Sequence, residues 1–204
     1  MRALLLVDLQ NDFFPGGSLA VKDADKILPA IHKLLEKKFE ATIASKDWHP
    51  ADHGNFATTH RKKQGEIIQL AGVEQVLWPV HCVQSTPGAQ FAPGWDAGKV
   101  ENVFHKGIEK DIDSYSTFFD NGKKRGTGLE SYLRKKNILD IFIAGLTTEY
   151  CVKYSVLDAL QLGFNVYVIA DGCRAVNLHP EDEALAYEEM RKAGAHIISS
   201  DEVT

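Results

Sequence analysis

The chain has 204 residues, a formal net charge of −5 and only three cysteines. A chain of this length can bury a core without disulfide bonds or a structural metal, and an odd number of widely spaced cysteines predicts no disulfide framework. The basic residues are scattered along the sequence, which gives no reason to expect a nucleic-acid partner. We therefore expect one ordinary domain that spans residues 1–204.

The N-terminus carries an apolar run that is too short for a secretory signal and is followed at once by acidic residues. No stretch of the chain approaches the roughly 18 consecutive apolar residues that a membrane span requires. We expect a cytoplasmic protein that makes no membrane contact.

Short apolar runs alternate with helical patterns along the chain, and this alternation predicts βα units and a mainly parallel sheet. The predicted elements, in chain order, are strand 3–8, helix 23–38, strand 39–45, strand 100–106, helix 129–136, strand 138–145, helix 149–162, strand 165–171, helix 181–192 and strand 196–199. The pattern thus predicts an α/β domain with six strands.

The segment from about residue 46 to residue 99 follows neither period and is rich in Pro, Gly, His and Trp. Irregular segments of this length are uncommon inside a compact domain unless they carry function. We interpret it as an irregular functional segment.

Reactive side chains stand at the ends of four predicted strands. Asp8 ends the first strand, Asp47 and His49 follow the second, Lys106 ends the third, and Cys151 opens the helix after the fourth. Taken singly, such an acid is often a helix cap, such a lysine a surface residue, and such a cysteine a small apolar filler. Their coincidence favours an active site, because ligands of open parallel sheets bind at the carboxyl ends of the strands.

Cys151 stands in the first turn of its predicted helix, where unpaired backbone N–H groups and the helix dipole lower a thiol pKa. Lys106 nearby would act in the same direction, so we expect a thiolate. The same N–H groups could hold the oxyanion that forms when sulfur adds to a carbonyl carbon. Asp8 is the candidate that takes up and returns the proton, since no histidine occupies a comparable position.

Asp47 and His49 are two residues apart, so on an extended chain both side chains project to one side. With His81 they form the one-carboxylate, two-imidazole set of an open divalent-metal site, for which Zn²⁺ is the first candidate and Fe²⁺ or Mn²⁺ the alternatives. His53 could be a fourth ligand or support the others. The alternative is that these histidines cap turns and pack against aromatic rings.

The remaining cysteines, Cys82 and Cys173, are interpreted as structural filler, although Cys82 lies beside His81 and could be a soft metal ligand.

Several segments together resemble one family: VDLQNDFFPGGSLAV, SKDWHPADHGNF, WPVHCVQSTPGAQF, HKG, DSYSTFFD and GLTTEYCV occur in its order and cover nearly the whole chain. The chain resembles the nicotinamidases of the isochorismatase-like cysteine hydrolase superfamily. The resemblance implies a doubly wound α/β fold with helices on both faces of the sheet. It also implies a catalytic triad of Asp8, Lys106 and Cys151. The metal ligands it implies are Asp47, His49 and His81.

The same resemblance implies the substrate contacts. Phe13 and Trp78 would flank a pyridine ring, with Tyr115 near it. A cis peptide bond between Leu146 and Thr147 would let the N–H of Thr147 join that of the catalytic cysteine in the oxyanion hole.

The implied reaction is hydrolysis of nicotinamide to nicotinate and ammonia through a thioester, a step of NAD salvage, with the metal orienting the ring. The sequence leaves open whether pyrazinamide is also processed and whether the chain forms a homo-oligomer. Three alternatives remain: a related hydrolase of isochorismate or of another amide, an inactive copy of the fold that only binds a partner, and a thiol redox protein. The absence of any C-x-x-C pair disfavours the last.

Overall fold

The structure, a computed structural model, describes residues 1–204. Its strands, in chain order, are β1 (Arg2–Val7), β2 (Ala41–Asp47), β3 (Ile67–Leu70), β4 (Val73–Val76), β5 (Asn102–Lys106), β6 (Asp140–Leu146), β7 (Asn165–Arg174) and β8 (His196–Ile198). Its α-helices are α1 (Leu28–Leu35), α2 (Leu129–Lys135), α3 (Lys153–Gln161) and α4 (Asp182–Ala193). None of these helices combines the length and apolar character needed to cross a bilayer.

Six strands form one sheet in the order β5-β2-β1-β6-β7-β8, and every neighbouring pair is parallel. The prediction of a six-stranded parallel sheet is confirmed. From β1 the chain continues to β2 on one side, and from β6 it continues to β7 on the other. The crevice between the carboxyl ends of β1 and β6 is therefore the switch point at which such sheets bind ligands.

The sheet is covered by helices on both faces, as the doubly wound fold requires. Leu4 and Leu6 of β1 point to the face that packs on α1, whereas Leu5 and Val7 point to the face covered by α2, α3 and α4. Strand β1 is thus buried on both sides, which explains why its sequence is continuously apolar rather than alternating. Each fully buried leucine contributes roughly 1.5 to 3 kcal/mol to the free energy of unfolding.

The first helix is shorter than predicted. The spacing predicted residues 23–38, but a 3₁₀ turn occupies Ala24–Ile27 and the α-helix runs only from Leu28 to Leu35. Pro29 supplies the reason for the late start, because proline fits the first helical positions, where its missing N–H leaves no bond unmade.

The segment between residues 46 and 99, predicted to be irregular, contains the antiparallel hairpin of β3 and β4. Its turn residues Ala71 and Gly72 have φ angles of 52° and 80°. Two positive φ angles are typical of the tight hairpin turn that Asn-Gly or Asp-Gly usually forms. Alanine at the first position hides that signal, so the segment was wrongly predicted to be irregular throughout.

Gly145, near the end of β6, is required by its surroundings. Its φ is 135°, and a Cβ atom there would lie 2.1 Å from the carbonyl oxygen of Val7 in β1. We expect Gly145→Ala to lower the free energy of unfolding by about 3 kcal/mol, because β1 and β6 would have to separate. Gly163→Ala is the matched control: its φ is 83° but nothing lies within 4 Å of the added methyl. That variant should lose only the roughly 1 to 2 kcal/mol of left-handed strain. Urea unfolding measures both, and equal losses would contradict the steric argument.

Candidate active site

Lys106 is the centre of the site. It ends β5, and the residue is 1% exposed. Its Nζ lies 2.9 Å from Asp8 Oδ2, 2.5 Å from Asp47 Oδ1 and 3.2 Å from Cys151 Sγ, and it also donates to the carbonyl oxygen of Ser114 at 3.1 Å. The structure thus brings together the three predicted triad residues and one predicted metal ligand. They come from the ends of four neighbouring strands, β1, β2, β5 and β6.

The pKa values of the two carboxylates that contact Lys106 are shifted in opposite directions. Burial raises the pKa of Asp8 to about 6, with nearby Asp47 adding to the rise and Lys106 opposing it. Ser45 donates a hydrogen bond to Asp8 Oδ1 at 2.7 Å, which also favours the ionised form. Burial opposes ionisation of Asp47 too, but Lys106 and the imidazoles hold its pKa well below its usual range. Two acids whose environments separate their pKa values indicate a division of roles, and Asp8 is the one poised to exchange a proton.

Lys106 remains a cation despite its burial. Desolvation alone would lower the pKa of its ammonium, but the charges of Asp47 and Asp8 raise it well above the usual value. The cluster therefore holds one positive charge between two carboxylates in a site away from water. Removing that positive charge would leave both carboxylates uncompensated.

The expectation of a Cys151 thiolate is wrong. Burial raises the pKa of this thiol well above its usual value, and the charges of Asp8 and Asp47 add to the rise, so the opposing effect of Lys106 is outweighed. Two backbone N–H groups next to the sulfur are also paired already within their own turn. Thr148–Val152 forms a π-helical turn before α3, in which the N–H groups of Tyr150 and Val152 donate to the carbonyl oxygen of Thr147. The resting sulfur is therefore a thiol that needs a base.

The predicted metal ligands converge. Asp47 Oδ2 lies 3.8 Å from both His49 Nε2 and His81 Nε2, and the three candidate ligand atoms all lie within 4.8 Å of one another. His49 Nδ1 bonds the carbonyl oxygen of Gly107 at 2.9 Å, and His81 Nδ1 bonds that of Pro79 at 2.8 Å. Because a carbonyl oxygen can only accept, each Nδ1 carries a proton and each ring turns its Nε2 toward the site.

His49 supplies an independent test of whether a cation fits. Its Nε2 is buried and has no hydrogen-bond partner, which is rare for a polar atom in a protein interior. Burial lowers the pKa of this histidine to about 4, so the ring is neutral, the form that binds a metal. The donor set of one carboxylate and two imidazoles fits a divalent transition metal.

His53 is placed differently from the other two histidines. Its Nδ1 bonds Asn55 Oδ1 at 2.6 Å and its Nε2 faces the carbonyl oxygen of Ile112 at 3.3 Å, so both nitrogens are engaged. Its ring packs against that of His49, with the centroids 4.5 Å apart. The geometry favours a supporting role over that of a fourth ligand.

The other two cysteines lie outside the candidate ligand set. Cys82 is buried beside His81, and its backbone N–H donates to Asp12 Oδ2 at 2.7 Å. Cys173 is buried within β7. Neither is among the groups whose ligand atoms converge. Both fit the interpretation as structural filler.

A small cavity opens over Cys151. Its wall contains the three predicted aromatic residues, Phe13, Trp78 and Tyr115, and Trp78 Nε1 donates to the Tyr115 hydroxyl at 3.2 Å. Asp47, His81 and Thr147 line the same cavity. The peptide bond between Leu146 and Thr147 is cis, as the resemblance implied. The parts that the individual residues play in binding and catalysis remain predictions.

Four residues of this wall are not among the predicted site residues: Leu19, Asp113, Tyr150 and Val176. Adjacency to Cys151 could have indicated Tyr150, and the DSYSTFFD segment could have indicated Asp113. The VDLQNDFFPGGSLAV segment could have indicated Leu19 in the same way, whereas Val176 lies in a loop outside the quoted segments and carries no local signal.

Comparison with known protein families gives a match to the isochorismatase domain over residues 2–202. The chain belongs to this family. Among its relatives is the nicotinamidase of Escherichia coli K12, 51% identical over 199 residues, which cover 96% of this chain and 93% of that protein.

Two solved structures of the family are also similar. One is a nicotinamidase and pyrazinamidase of Acinetobacter baumanii, with a TM-score of 0.95 and 39% identity, covering 100% of this chain and 98% of the other. The second is the pyrazinamidase of Pyrococcus horikoshii in complex with zinc, with a TM-score of 0.79 and 37% identity, covering 97% of this chain and 98% of the other.

Proposed function

We propose that this protein hydrolyses nicotinamide to nicotinate and ammonia, with Cys151 as the nucleophile. The observation that carries the proposal is the position of the Lys106 ammonium, which contacts Asp8, Asp47 and the Cys151 sulfur at the edge of one aromatic-walled cavity. An amidohydrolase with a covalent nucleophile needs that nucleophile, a proton acceptor within reach of it and a third group that orients the acceptor. The similarity to the Escherichia coli nicotinamidase supports the choice of substrate.

The first half of the reaction forms a thioester. Because burial keeps the Cys151 thiol protonated, Asp8 removes its proton as sulfur attacks the carboxamide carbon. The N–H groups of Thr147 and Cys151 are the proposed donors to the oxyanion. When the tetrahedral intermediate collapses, Asp8 returns the proton to the departing nitrogen, the C–N bond breaks, and ammonia leaves.

The second half hydrolyses the thioester. Asp8, again ionised, accepts a proton from a water molecule whose oxygen attacks the acyl carbon. The C–S bond breaks, the proton passes to the Cys151 sulfur, and nicotinate is released. Lys106 stays charged throughout and holds Asp8 beside the sulfur.

Asp47, His49 and His81 are the residues that would hold a divalent metal, and Phe13, Trp78 and Tyr115 would enclose the pyridine ring. When bound, the ion supplies a Lewis acid to which the ring nitrogen can coordinate, which orients the carboxamide. We propose Zn²⁺, with Fe²⁺ and Mn²⁺ as alternatives, because a carboxylate with two imidazoles suits all three. Pyrazinamide, which also carries a ring nitrogen and a carboxamide, is proposed as a second substrate.

The proposal is tested by measuring ammonia release from nicotinamide, and in parallel the consumption of isochorismate, on protein of known metal content. We expect release from nicotinamide and no consumption of isochorismate. Removing the metal with a chelator should lower kcat/KM at least about tenfold, and Zn²⁺ should restore it. Consumption of isochorismate by a protein that leaves nicotinamide intact would instead identify the related hydrolase.

The fall of kcat/KM on the acid side of the pH profile should reflect the protonation of Asp8. This group must be ionised to accept the thiol proton, and its pKa is about 6, so kcat/KM should fall tenfold per pH unit below about pH 6. Ser45→Ala removes a hydrogen bond that favours the carboxylate. The variant should move the midpoint upward by about one pH unit. Ser155→Ala, which removes a buried hydroxyl bonded to Thr117, is the control and should leave the midpoint in place. An unshifted midpoint in Ser45→Ala would contradict the assignment to Asp8.

A further inference from the structure

Gln10 is a fully buried side chain that the reaction scheme does not use. Its Oε1 accepts a hydrogen bond from the backbone N–H of Asp47 at 2.8 Å, and its Nε2 donates to the carbonyl oxygen of the same residue at 2.8 Å. A third bond runs from Nε2 to the carbonyl oxygen of Ala89 at 3.0 Å. One side-chain amide thus pairs with both backbone polar groups of a single residue.

The sheet geometry explains why Asp47 needs such a partner. Strand β1 pairs with β2 only as far as Leu6 and Ala44, because Asp8, with a φ of 51°, turns the chain out of the strand. Farther along β2, Asp47 still pairs with Lys106 of β5 on one side but has no β1 residue on the other. Buried backbone groups must be paired, and the Gln10 amide takes the place that a strand peptide would occupy.

Asp47, the residue held in this way, contacts two different groups through its one carboxylate. One oxygen of the Asp47 carboxylate lies 2.5 Å from the Lys106 ammonium, and the other lies 3.8 Å from the two imidazole nitrogens. Both contacts depend on the direction of the Cα–Cβ bond, which the orientation of the peptide sets.

We propose that Gln10 is a positioning residue for Asp47. It holds the Asp47 peptide in the orientation that lets the carboxylate contact Lys106 and the divalent-metal site at the same time. This inference rests on the metal site in the proposed function and is independent of the identity of the substrate. A merely structural Gln10 would affect the free energy of unfolding alone, whereas a positioning residue also affects metal affinity and ligand geometry. Groups that hydrogen-bond to a metal-ligating residue typically contribute about 10-fold to 100-fold to the metal affinity.

The test uses the metal-free full chain and two probes, Zn²⁺ and Co²⁺. Gln10→Met keeps the length of the side chain and removes its hydrogen bonds, whereas Gln10→Asn keeps the amide but is too short to span both groups of Asp47. The control is Gln84→Met, because Gln84 Nε2 donates to the carbonyl oxygen of Trp48, the residue next to Asp47. Competition with a chromophoric chelator gives the Zn²⁺ affinity, the visible spectrum of bound Co²⁺ reports ligand geometry, and thermal unfolding shows that each variant is folded.

We expect both Gln10 variants to bind Zn²⁺ at least about tenfold more weakly and to change the Co²⁺ spectrum, while Gln84→Met stays within about twofold of wild type. Wild-type affinity and spectrum in a folded Gln10 variant would overturn the proposal, as would equal losses in the Gln84 control. Failure of both Gln10 variants to fold, or of the wild type to bind either ion, would also overturn it. A protein that binds zinc but leaves nicotinamide intact would refute the proposed function without affecting this one.

Discussion

Cys151→Ala should lower kcat for ammonia release from nicotinamide by at least about 10⁴-fold. The sulfur is the atom proposed to form the thioester, and nothing else at the centre of the site can replace it: Lys106 is a charged ammonium shared by two carboxylates, and Asp8 is the proton acceptor. Ammonia release by the purified variant, measured by a coupled assay over several hours, checks the expectation.

Cys173→Ala is the matched control, since Cys173 is equally free and buried but lies in β7 outside the cavity. It should keep kcat within about twofold of wild type while losing roughly 1 kcal/mol of stability through the small void it leaves. Both variants should bind Zn²⁺ as the wild type does. Wild-type turnover by Cys151→Ala would exclude the thioester route altogether.

Lys106→Met should lower the free energy of unfolding of the metal-free protein by about 3 to 5 kcal/mol, because it leaves the buried carboxylates of Asp8 and Asp47 without their shared cation. The loss should shrink in acid. Lys106 and the imidazoles hold the pKa of Asp47 below its usual value, although burial acts against them. The stability that this carboxylate contributes is therefore fully present above the usual pKa. It disappears as the pH falls from there toward the lower pKa of the folded state. Urea unfolding at about pH 3, below the usual pKa of an aspartate, and at about pH 8 measures both effects.

Lys46→Met is the control for this substitution. Lys46 is the neighbouring buried lysine of β2, and its ammonium lies 4.0 Å from the centre of the Phe91 ring rather than between carboxylates. Its loss should change stability by no more than about 1 kcal/mol at either pH. A Lys106→Met protein as stable as this control would mean that the carboxylates find another partner.

The fold was largely predictable because its signals are local. The unbroken apolar run of β1 indicated a strand covered on both faces, and the structure places Leu4 and Leu5 in opposite apolar layers. The approach of Asp8, Lys106 and Cys151 followed from one topological rule, that parallel strands end at the same edge of a sheet. That rule needs no knowledge of side-chain packing.

Other features depended on packing or on an atypical residue and escaped prediction. The hairpin of β3 and β4 turns at Ala71, where a glycine or asparagine would have indicated it. The pKa of Cys151 depends on how deeply the sulfur is buried, which the helix position alone does not reveal, so its direction was predicted wrongly. Val176 lines the cavity from a loop that is distant in the chain from the predicted site segments.

The pairing of β1 with β6 and of β2 with β5 has a consequence for how activity appears during refolding. A slip of one residue in either ladder would shift a reactive side chain by about 3.3 Å and turn it to the opposite face of the sheet. Asp8 and Lys106 can therefore meet the Cys151 sulfur only after β5, β2, β1 and β6 have all paired in register. Regain of turnover after dilution from urea should thus lag behind the regain of helical circular dichroism and mark the completion of the sheet.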